Sequence, residues 1–92
     1  MNKASYLIDK LKQTLVGTSQ TADAFYNRGT AKIDRQDYVG AIFEFTKAIE
    51  MNPRDVEAYN RRGEAKGVLK DHEGAMADFN KAKEINPTDA GF

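Results

Sequence analysis

The sequence predicts an all-α protein built from two tandem helix pairs, and three observations support this fold class. A 34-residue unit occurs twice without a gap, so that residues 22–55 align with residues 56–89 at fifteen identical positions. The two prolines, Pro53 and Pro87, are themselves 34 residues apart, and the long stretches between them are free to be helical. Each unit also carries aspartates and small residues at the spacing expected of two short antiparallel helices.

The internal duplication keeps a regular set of positions unchanged between its two copies. In the first copy, the residues repeated identically in the second are Ala24, Arg28, Gly29, Ala31, Lys32, Asp37, Gly40, Ala41, Phe45, Lys47, Ala48, Glu50, Asn52, Pro53 and Asp55. We predict first helices over residues 22–35 and 56–69, and second helices over residues 38–51 and 72–85.

Capping residues indicate where the predicted helices begin and end. Asp37, Asp55 and Asp71 stand directly before helix starts, where a carboxylate accepts hydrogen bonds from free backbone N–H groups. Pro53 and Pro87 follow the second helix of each unit, and proline cannot continue a helix. The same signals in both copies indicate the same helix pair twice.

Small residues recur where two antiparallel helices must approach closely, and aromatic residues supply the bulk between them. The small residues are Gly29, Ala41, Ala48, Gly63, Ala75 and Ala82, and the aromatic residues are Phe25, Phe45, Tyr59 and Phe79. Gly67 lies inside a predicted helix, where glycine costs about 1 kcal/mol relative to alanine. It either opens a notch in the helix surface or permits the close approach of a neighbouring helix, and we expect the second.

These positions resemble the tetratricopeptide repeat, whose pattern has a bulky aromatic, Leu-Gly, a tyrosine, an alanine, a phenylalanine and a proline in that order. The matching residues are Phe25, Gly29, Ala41, Phe45 and Pro53 in the first unit, and Tyr59, Gly63, Ala75, Phe79 and Pro87 in the second. Arg28 and Arg62 take the leucine position, and Lys32 and Lys66 take the tyrosine position. The resemblance covers residues 22–89 and implies a right-handed α-solenoid of antiparallel helix pairs, with a concave face that holds peptides or proteins. We expect the arginine stems to cover apolar surface while their charged ends reach water.

Composition excludes several classes of protein. Basic and acidic side chains number 14 each, so the chain lacks the positive excess expected of a nucleic-acid-binding surface. Cysteine is absent, which rules out disulfides and thiolate metal sites. The longest apolar stretch, residues 39–43, is far shorter than the roughly 20 residues of a membrane-spanning helix. We therefore expect a cytoplasmic protein that binds neither nucleic acid nor membranes.

Residues 1–16 are predicted to form a fifth, amphipathic helix that caps the first repeat, within a single domain over residues 1–92. On a helical wheel the apolar residues fall in one arc about 100° wide, and they are Ala4, Leu7, Ile8, Leu11 and Leu15. A cover is expected because repeat arrays usually need at least three units. Two alternatives are a free arm for a partner or a second copy, and a membrane-surface helix, which the mixed charges of its polar side disfavour.

The second repeat has features of a terminal repeat. Three replacements remove apolar surface where a further repeat would stack: His72 for Tyr38, Ala77 for Phe43 and Lys83 for Ile49. We expect His72 to fill the place of the aromatic residue at the edge of the core. Residues 90–92 are also compatible with the start of a third repeat, although Lys83 favours a genuine end.

The resemblance implies a binding groove lined by the first helix of each repeat. The groove residues are Asp23, Tyr26, Asn27, Thr30 and Ile33 in the first repeat, and Glu57, Asn60, Arg61, Glu64 and Val68 in the second. Asparagine and arginine side chains there are suited to hydrogen bonding with the backbone or a carboxylate of an extended peptide. A solvated helix face with no ligand of its own is the alternative.

A more specific type of groove is not expected. Family members that clamp the C-terminal carboxylate of heat-shock chaperones use lysines, asparagines and an arginine on this face. Only Asn27 and Arg61 match that clamp here, because Tyr26 and Glu57 occupy the lysine positions.

Catalysis has little support in the sequence. The single histidine, His72, follows Asp71, which the repeat assigns to helix capping, and no phosphate-binding glycine loop or metal-spaced carboxylate cluster occurs. We therefore expect a protein–protein interaction module, an adaptor or scaffold, with no enzymatic activity and no cofactor or metal. The alternative is a self-associating unit that forms a homodimer through the N-terminal helix or an exposed repeat edge.

Overall fold

The computed structural model describes residues 21–87, which form four α-helices in two antiparallel pairs. Helix α1 covers Ala22–Asp34 and helix α2 covers Tyr38–Met51; helix α3 covers Val56–Val68 and helix α4 covers His72–Ile85. These bounds agree with the predicted ones to within one residue, and the all-α fold class is confirmed. The described residues hold four helices rather than five, because the helix predicted over residues 1–16 lies outside them.

Each helix begins with a side-chain cap. The carboxylate of Asp37 accepts from the backbone N–H of Gly40 at 2.9 Å, and that of Asp71 accepts from Gly74 at the same distance. Asp55 caps α3 in the same way, as the sequence predicts. Thr21 caps α1 with its hydroxyl oxygen. Each cap satisfies one of the N–H groups that the first helical turn leaves without a partner.

The first helix of each repeat ends in a Schellman motif, a turn with one left-handed residue. Gln36 has φ 63° and Lys70 has φ 73°, and these two residues occupy equivalent positions in the repeats. After α1, the N–H of Asp37 donates to the carbonyl of Lys32 and that of Gln36 donates to Ile33, both at 2.8 Å. The turn after α3 has the same pair of bonds. Glycine is the usual residue here, because a Cβ is strained at positive φ.

We expect Gln36→Gly and Lys70→Gly each to stabilise the protein by about 1 kcal/mol, because glycine removes the left-handed strain. Urea unfolding followed by circular dichroism measures the change. Arg35→Gly is the matched control: Arg35 has φ −95°, so the substitution should lower stability. Equal changes in stability for Gln36→Gly and Arg35→Gly would contradict the inference that the backbone of Gln36 is strained.

The core lies where α2, α3 and α4 meet. Its buried cluster consists of Ala48, Ile49, Ala58, Tyr59 and Ala82, with Phe25, Tyr26, Val56 and Ile85 packed against it. The Tyr59 hydroxyl donates to the carbonyl of Pro53 at 3.1 Å, which fixes the loop between the repeats onto the second repeat. Apolar side chains of both repeats therefore share one core.

The predicted close approach of the paired helices is confirmed at two glycines. A Cβ on Gly29 would lie 2.6 Å from the ring of Phe45, and one on Gly63 would lie 2.8 Å from the ring of Phe79. The prediction for Gly67 is wrong: among the described residues, a Cβ there would meet only the Cβ of Ala75, at the ordinary distance of 4.0 Å. Gly67 is therefore not required by packing against a neighbouring helix.

The far end of the second repeat is partly polar. Lys83 is exposed where Ile49 is buried in the first repeat, which agrees with the prediction for this position. Two other expectations are wrong. His72 is exposed and fills no place in the core, and Phe43 is 57% exposed even with the second repeat in place. The change from Phe43 to Ala77 therefore removes outward-facing surface and not surface that stacks on another repeat.

Candidate functional site

Helices α1 and α3 lie side by side, and the surface they share carries the residues predicted to line a groove. We call this surface the α1–α3 face. Its members differ in exposure: Asp23, Asn27, Glu57, Arg61, Glu64 and Val68 are exposed, and Tyr26, Thr30, Ile33 and Asn60 are half-buried. Residues 21–87 enclose no pocket, so a ligand of this face would lie on an open surface.

Tyr26 connects the α1–α3 face to the core. Its ring meets that of Phe45 edge to face, with centroids 5.6 Å apart. Its hydroxyl donates to Oε1 of Glu57 at 2.8 Å and accepts from Nε of Arg61 at 3.3 Å. One α1 residue thus bonds to two residues of α3. Because the ring is packed against Phe45, the Tyr26 hydroxyl is held in place, and its hydrogen bonds on the surface are well ordered.

Arg61 extends this network along α3. Its guanidinium donates to Glu64 at 3.4 Å, one helical turn further on. The hydrogen bond with the Tyr26 hydroxyl, and then the charge of Glu64, raise the pKa of Arg61 above its ordinary value. The guanidinium of Arg61 is thus held between Tyr26 and Glu64. Thr30 contributes no hydroxyl donor to the face, because its Oγ1 donates to the Tyr26 carbonyl within α1 at 3.1 Å.

Two side-chain amides on the face are available to a ligand. Within residues 21–87, the amides of Asn27 and Asn60 have no hydrogen-bond partner. An amide offers both donors and an acceptor, which suits the alternating C=O and N–H groups of an extended peptide. The structure thus joins four of the predicted site residues, Tyr26, Glu57, Arg61 and Glu64, and leaves the two asparagines free.

Each repeat also contains a buried acid that binds two basic residues, a group we call the ion triad. In the first repeat, Glu44 is 6% exposed and accepts from Lys32 at 2.8 Å and from Arg28 at 3.5 Å. These residues occupy α1 and α2, so the triad ties the two helices together. The arginine also lies over the ring of Phe25, 4.7 Å from its centroid.

The triad of the second repeat has tighter geometry. Arg62 donates to both oxygens of Asp78, at 2.8 and 2.7 Å, and Lys66 lies 3.2 Å from the same carboxylate. The hydrogen bonds to Asp78 raise the pKa of Arg62, against the opposing effect of burial. Arg62 reaches the first repeat as well, donating to the hydroxyl of Thr46 at 3.1 Å. This triad therefore ties α3 to α4 and also crosses to α2.

The ion triads correct one expectation. The charged ends of Arg28 and Arg62 do not simply reach water; each contacts a buried acid on the next helix. The sequence contains a signal for these partners, because Glu44 and Asp78 follow the arginines by the same interval in both repeats. To use that signal, one must know that Glu44 and Asp78 face the interior of their helix pair, which the sequence does not show.

Two other kinds of feature are absent from the described part of the chain. Over residues 21–87 no helix has the length and apolar character needed to span a membrane. Within the same residues, no three His, Cys, Asp or Glu side chains are grouped as metal ligands would be.

Comparisons with known proteins agree on the class of fold. Tetratricopeptide repeat models match residues 22–55 and residues 56–89. Among solved structures, the crystal structure of MamA is similar with a TM-score of 0.75 and 28% sequence identity, over 87% of this chain and 47% of that one. The chain thus spans about half the length of MamA. Curated proteins give no match.

The fold and the α1–α3 face define a helical-repeat protein with an open polar surface. The chain belongs to the tetratricopeptide repeat family, since two matches to that family together cover most of its length. Repeats of this family generally act as protein-interaction modules and not as enzymes.

Proposed function

We propose that this protein is an adaptor that binds an extended segment of a partner protein on the α1–α3 face. The observation that carries the proposal is a pair of asparagines, Asn27 and Asn60, whose amides have no hydrogen-bond partner within residues 21–87 and which lie on the same face as the ordered network of Tyr26 and Arg61. A fixed network loses little freedom on binding, so a peptide laid across it meets donors and acceptors already in place.

Charge on the α1–α3 face favours a basic partner segment. The face carries three carboxylates, those of Asp23, Glu57 and Glu64, and one guanidinium, that of Arg61. Because Glu64 already neutralises that guanidinium at 3.4 Å, the remaining carboxylates leave the face acidic. A lysine or arginine in the partner segment would meet this excess, whereas an acidic segment would be repelled.

A displayed peptide library, selected against the full chain, tests the proposal. We expect enrichment of basic peptides, and Glu57→Gln should weaken the best of them about tenfold in calorimetric titration, because removing a rim charge lowers affinity. Glu73→Gln is the matched control, because Glu73 is also exposed but lies at the start of α4. Equal weakening by both changes, or selection of acidic peptides, would contradict binding on this face.

Self-association is a second candidate function, and the outer surface of α2 favours it. Val39 and Phe43 lie one helical turn apart, 70% and 57% exposed, and together present an apolar strip. The ammonium group of Lys47 lies over the ring of Phe43, 5.5 Å from its centroid.

Light scattering after gel filtration tests self-association directly. If the strip on α2 holds two copies together, the wild-type chain will have the mass of a dimer, and Phe43→Ser should shift it to a monomer. Met76→Ser, which changes an equally exposed apolar residue on α4, should leave the mass unchanged. A wild-type monomer at high concentration would dismiss this function.

A further inference from the structure

The α1–α3 face changes in chemical character along its length, so its two ends suit different side chains of a ligand. At one end, Asp23 and Glu57 lie in the first turns of α1 and α3. Both are exposed, and neither forms an ion pair within residues 21–87. We call these two carboxylates the acidic end. A basic side chain placed there meets two negative charges that no cation of the described residues offsets.

The opposite end of the face carries apolar side chains from both helices. Tyr26 on α1 bonds to α3 residues that follow it by 31 and 35 positions. Two helical turns further on, the same intervals lead from Ile33 to Glu64 and Val68, so these residues lie at one level of the face. Ile33 is half-buried and Val68 is 52% exposed. We call Ile33 and Val68 the apolar end.

Two acids near the apolar end do not turn it into a second acidic site. Glu64 lies 3.4 Å from the guanidinium of Arg61, which offsets its charge. Asp34 follows Ile33 in the sequence, but successive residues of an α-helix point about 100° apart. Ile33 is two turns from Tyr26 and shares its side of α1, so Asp34 is turned away from the side that meets α3. The net charge facing a ligand at this end is therefore small.

The separation of the two ends sets the length of a segment that reaches both. Val68 follows Glu57 by eleven positions on α3, and Ile33 follows Asp23 by ten positions on α1. At the helical rise per residue, these intervals correspond to about 16 Å and about 15 Å. An extended peptide advances about 3.3 Å per residue, so about five residues span the distance.

We propose that the partner segment is a two-part peptide, with a basic side chain at the acidic end and an aliphatic side chain, about five residues away, at the apolar end. This inference rests on the proposed function, because it specifies the segment that the α1–α3 face binds. Val68 is then a specificity-determining residue that contacts the aliphatic side chain, whereas Asp23 and Glu57 select the charge. An aliphatic residue directly beside the basic one leaves the apolar end uncovered.

Synthetic peptides of fixed composition test the spacing. Each contains two adjacent lysines and one leucine in a serine–glycine background, and the set varies the separation of leucine from lysine in both sequence orders. Titration into the isotope-labelled full chain, followed through its backbone amide NMR signals, gives each dissociation constant. In at least one order, a separation of four or five residues should give about fivefold tighter binding than adjacent placement, because only then does the leucine bury apolar surface.

Two variants test whether Val68 is the residue that reads the leucine. Val68→Asn should remove the preference for the spaced peptides, while the peptides still bind through their lysines. Leu69→Asn is the matched control, because Leu69 is the next residue and is 43% exposed but is not a member of the α1–α3 face. It should leave the preference intact. A preference that survives Val68→Asn, or that is lost in Leu69→Asn, would overturn the inference.

Glu57→Gln separates this inference from the proposed function. The change should weaken all the peptides by a similar factor, whatever the position of the leucine. If it does so and the affinity of the parent chain is independent of the leucine position, the face binds basic segments without using its apolar end. The inference is then overturned and the proposed function stands. If no peptide shifts the amide signals of α1 and α3, both are overturned.

Discussion

Replacing Asp78 by alanine is expected to destabilise the protein by about 3 kcal/mol, because it leaves two cations in the second ion triad without their buried acid. Asp78 is 3% exposed, and Arg62 and Lys66 both bind it from α3. Neither cation is fully exposed, so water replaces the lost carboxylate only in part. For a domain of this size, the thermal midpoint should fall by roughly 10–20 °C.

Two further variants separate the buried acid from ordinary surface charge. Glu84→Ala removes an acid from the same helix, but Glu84 is exposed and, within residues 21–87, pairs only with Lys81, so the cost should stay below about 0.5 kcal/mol. A triple variant combines Asp78→Ala with Arg62→Leu and Lys66→Tyr. The leucine and the tyrosine are the residues of the family pattern at these two positions, and they remove both cations that Asp78→Ala leaves without their acid. We expect this triple variant to regain most of the lost stability. If Asp78→Ala costs no more than Glu84→Ala, the triad does not stabilise the fold.

Gly29→Ala is expected to destabilise the protein by about 2 kcal/mol, although alanine is the better helix former. The added methyl would lie within 2.6–2.9 Å of three ring carbons of Phe45, which is fully buried. Either the ring leaves its preferred position or α1 and α2 separate. Chemical unfolding of the purified variant measures the loss.

The other helical glycines provide graded controls. Gly63→Ala should cost less, because the facing ring of Phe79 is only half-buried and can shift. Gly67→Ala meets nothing closer than 4.0 Å and should stabilise the protein by about 1 kcal/mol. A stable Gly29→Ala variant, or a destabilised Gly67→Ala variant, would show that the helix contacts differ from those described.

The helices and their pairing could be predicted from sequence because the signals for them are local and occur twice. Asp37, Asp55 and Asp71 mark helix starts by a bond to a backbone N–H only three residues away. Any single signal of this kind is weak, but its recurrence after one repeat length makes it reliable. The family follows from the same repetition.

Contacts between helices could not be predicted in the same way. Phe43 is a residue type usually found in a core, yet it faces outward. The rotation of α2 about its axis is set by packing against the other helices, which the sequence of α2 alone does not reveal. The acids Glu44 and Asp78 look like exposed charges in the sequence, and only the angle between paired helices brings them to the arginines. Gln36 and Lys70 carry no sign of their left-handed backbone, since most left-handed caps are glycine.

For the candidate site, the sequence predicts which residues line the face, but it does not predict the bonds between them. Asparagine and arginine were expected to contact a ligand, whereas in the structure Arg61 bonds to Tyr26 and Glu64. The Tyr26–Glu57 bond joins residues 31 positions apart on separate helices, so it depends on how the repeats stack. A pattern with a period of one helical turn relates residues three or four positions apart, so it cannot predict a contact between residues 31 positions apart.

The ion triads have a consequence for how an array of this kind can grow. Each triad draws its acid and both of its cations from a single repeat. A gene duplication that copies one repeat therefore copies the buried acid together with both of its cationic partners, and the new unit does not depend on its neighbour to pair that acid. Lengthening such a chain therefore leaves each triad complete, and what a new junction must supply is the apolar core between repeats and hydrogen bonds such as that of Arg62 with Thr46.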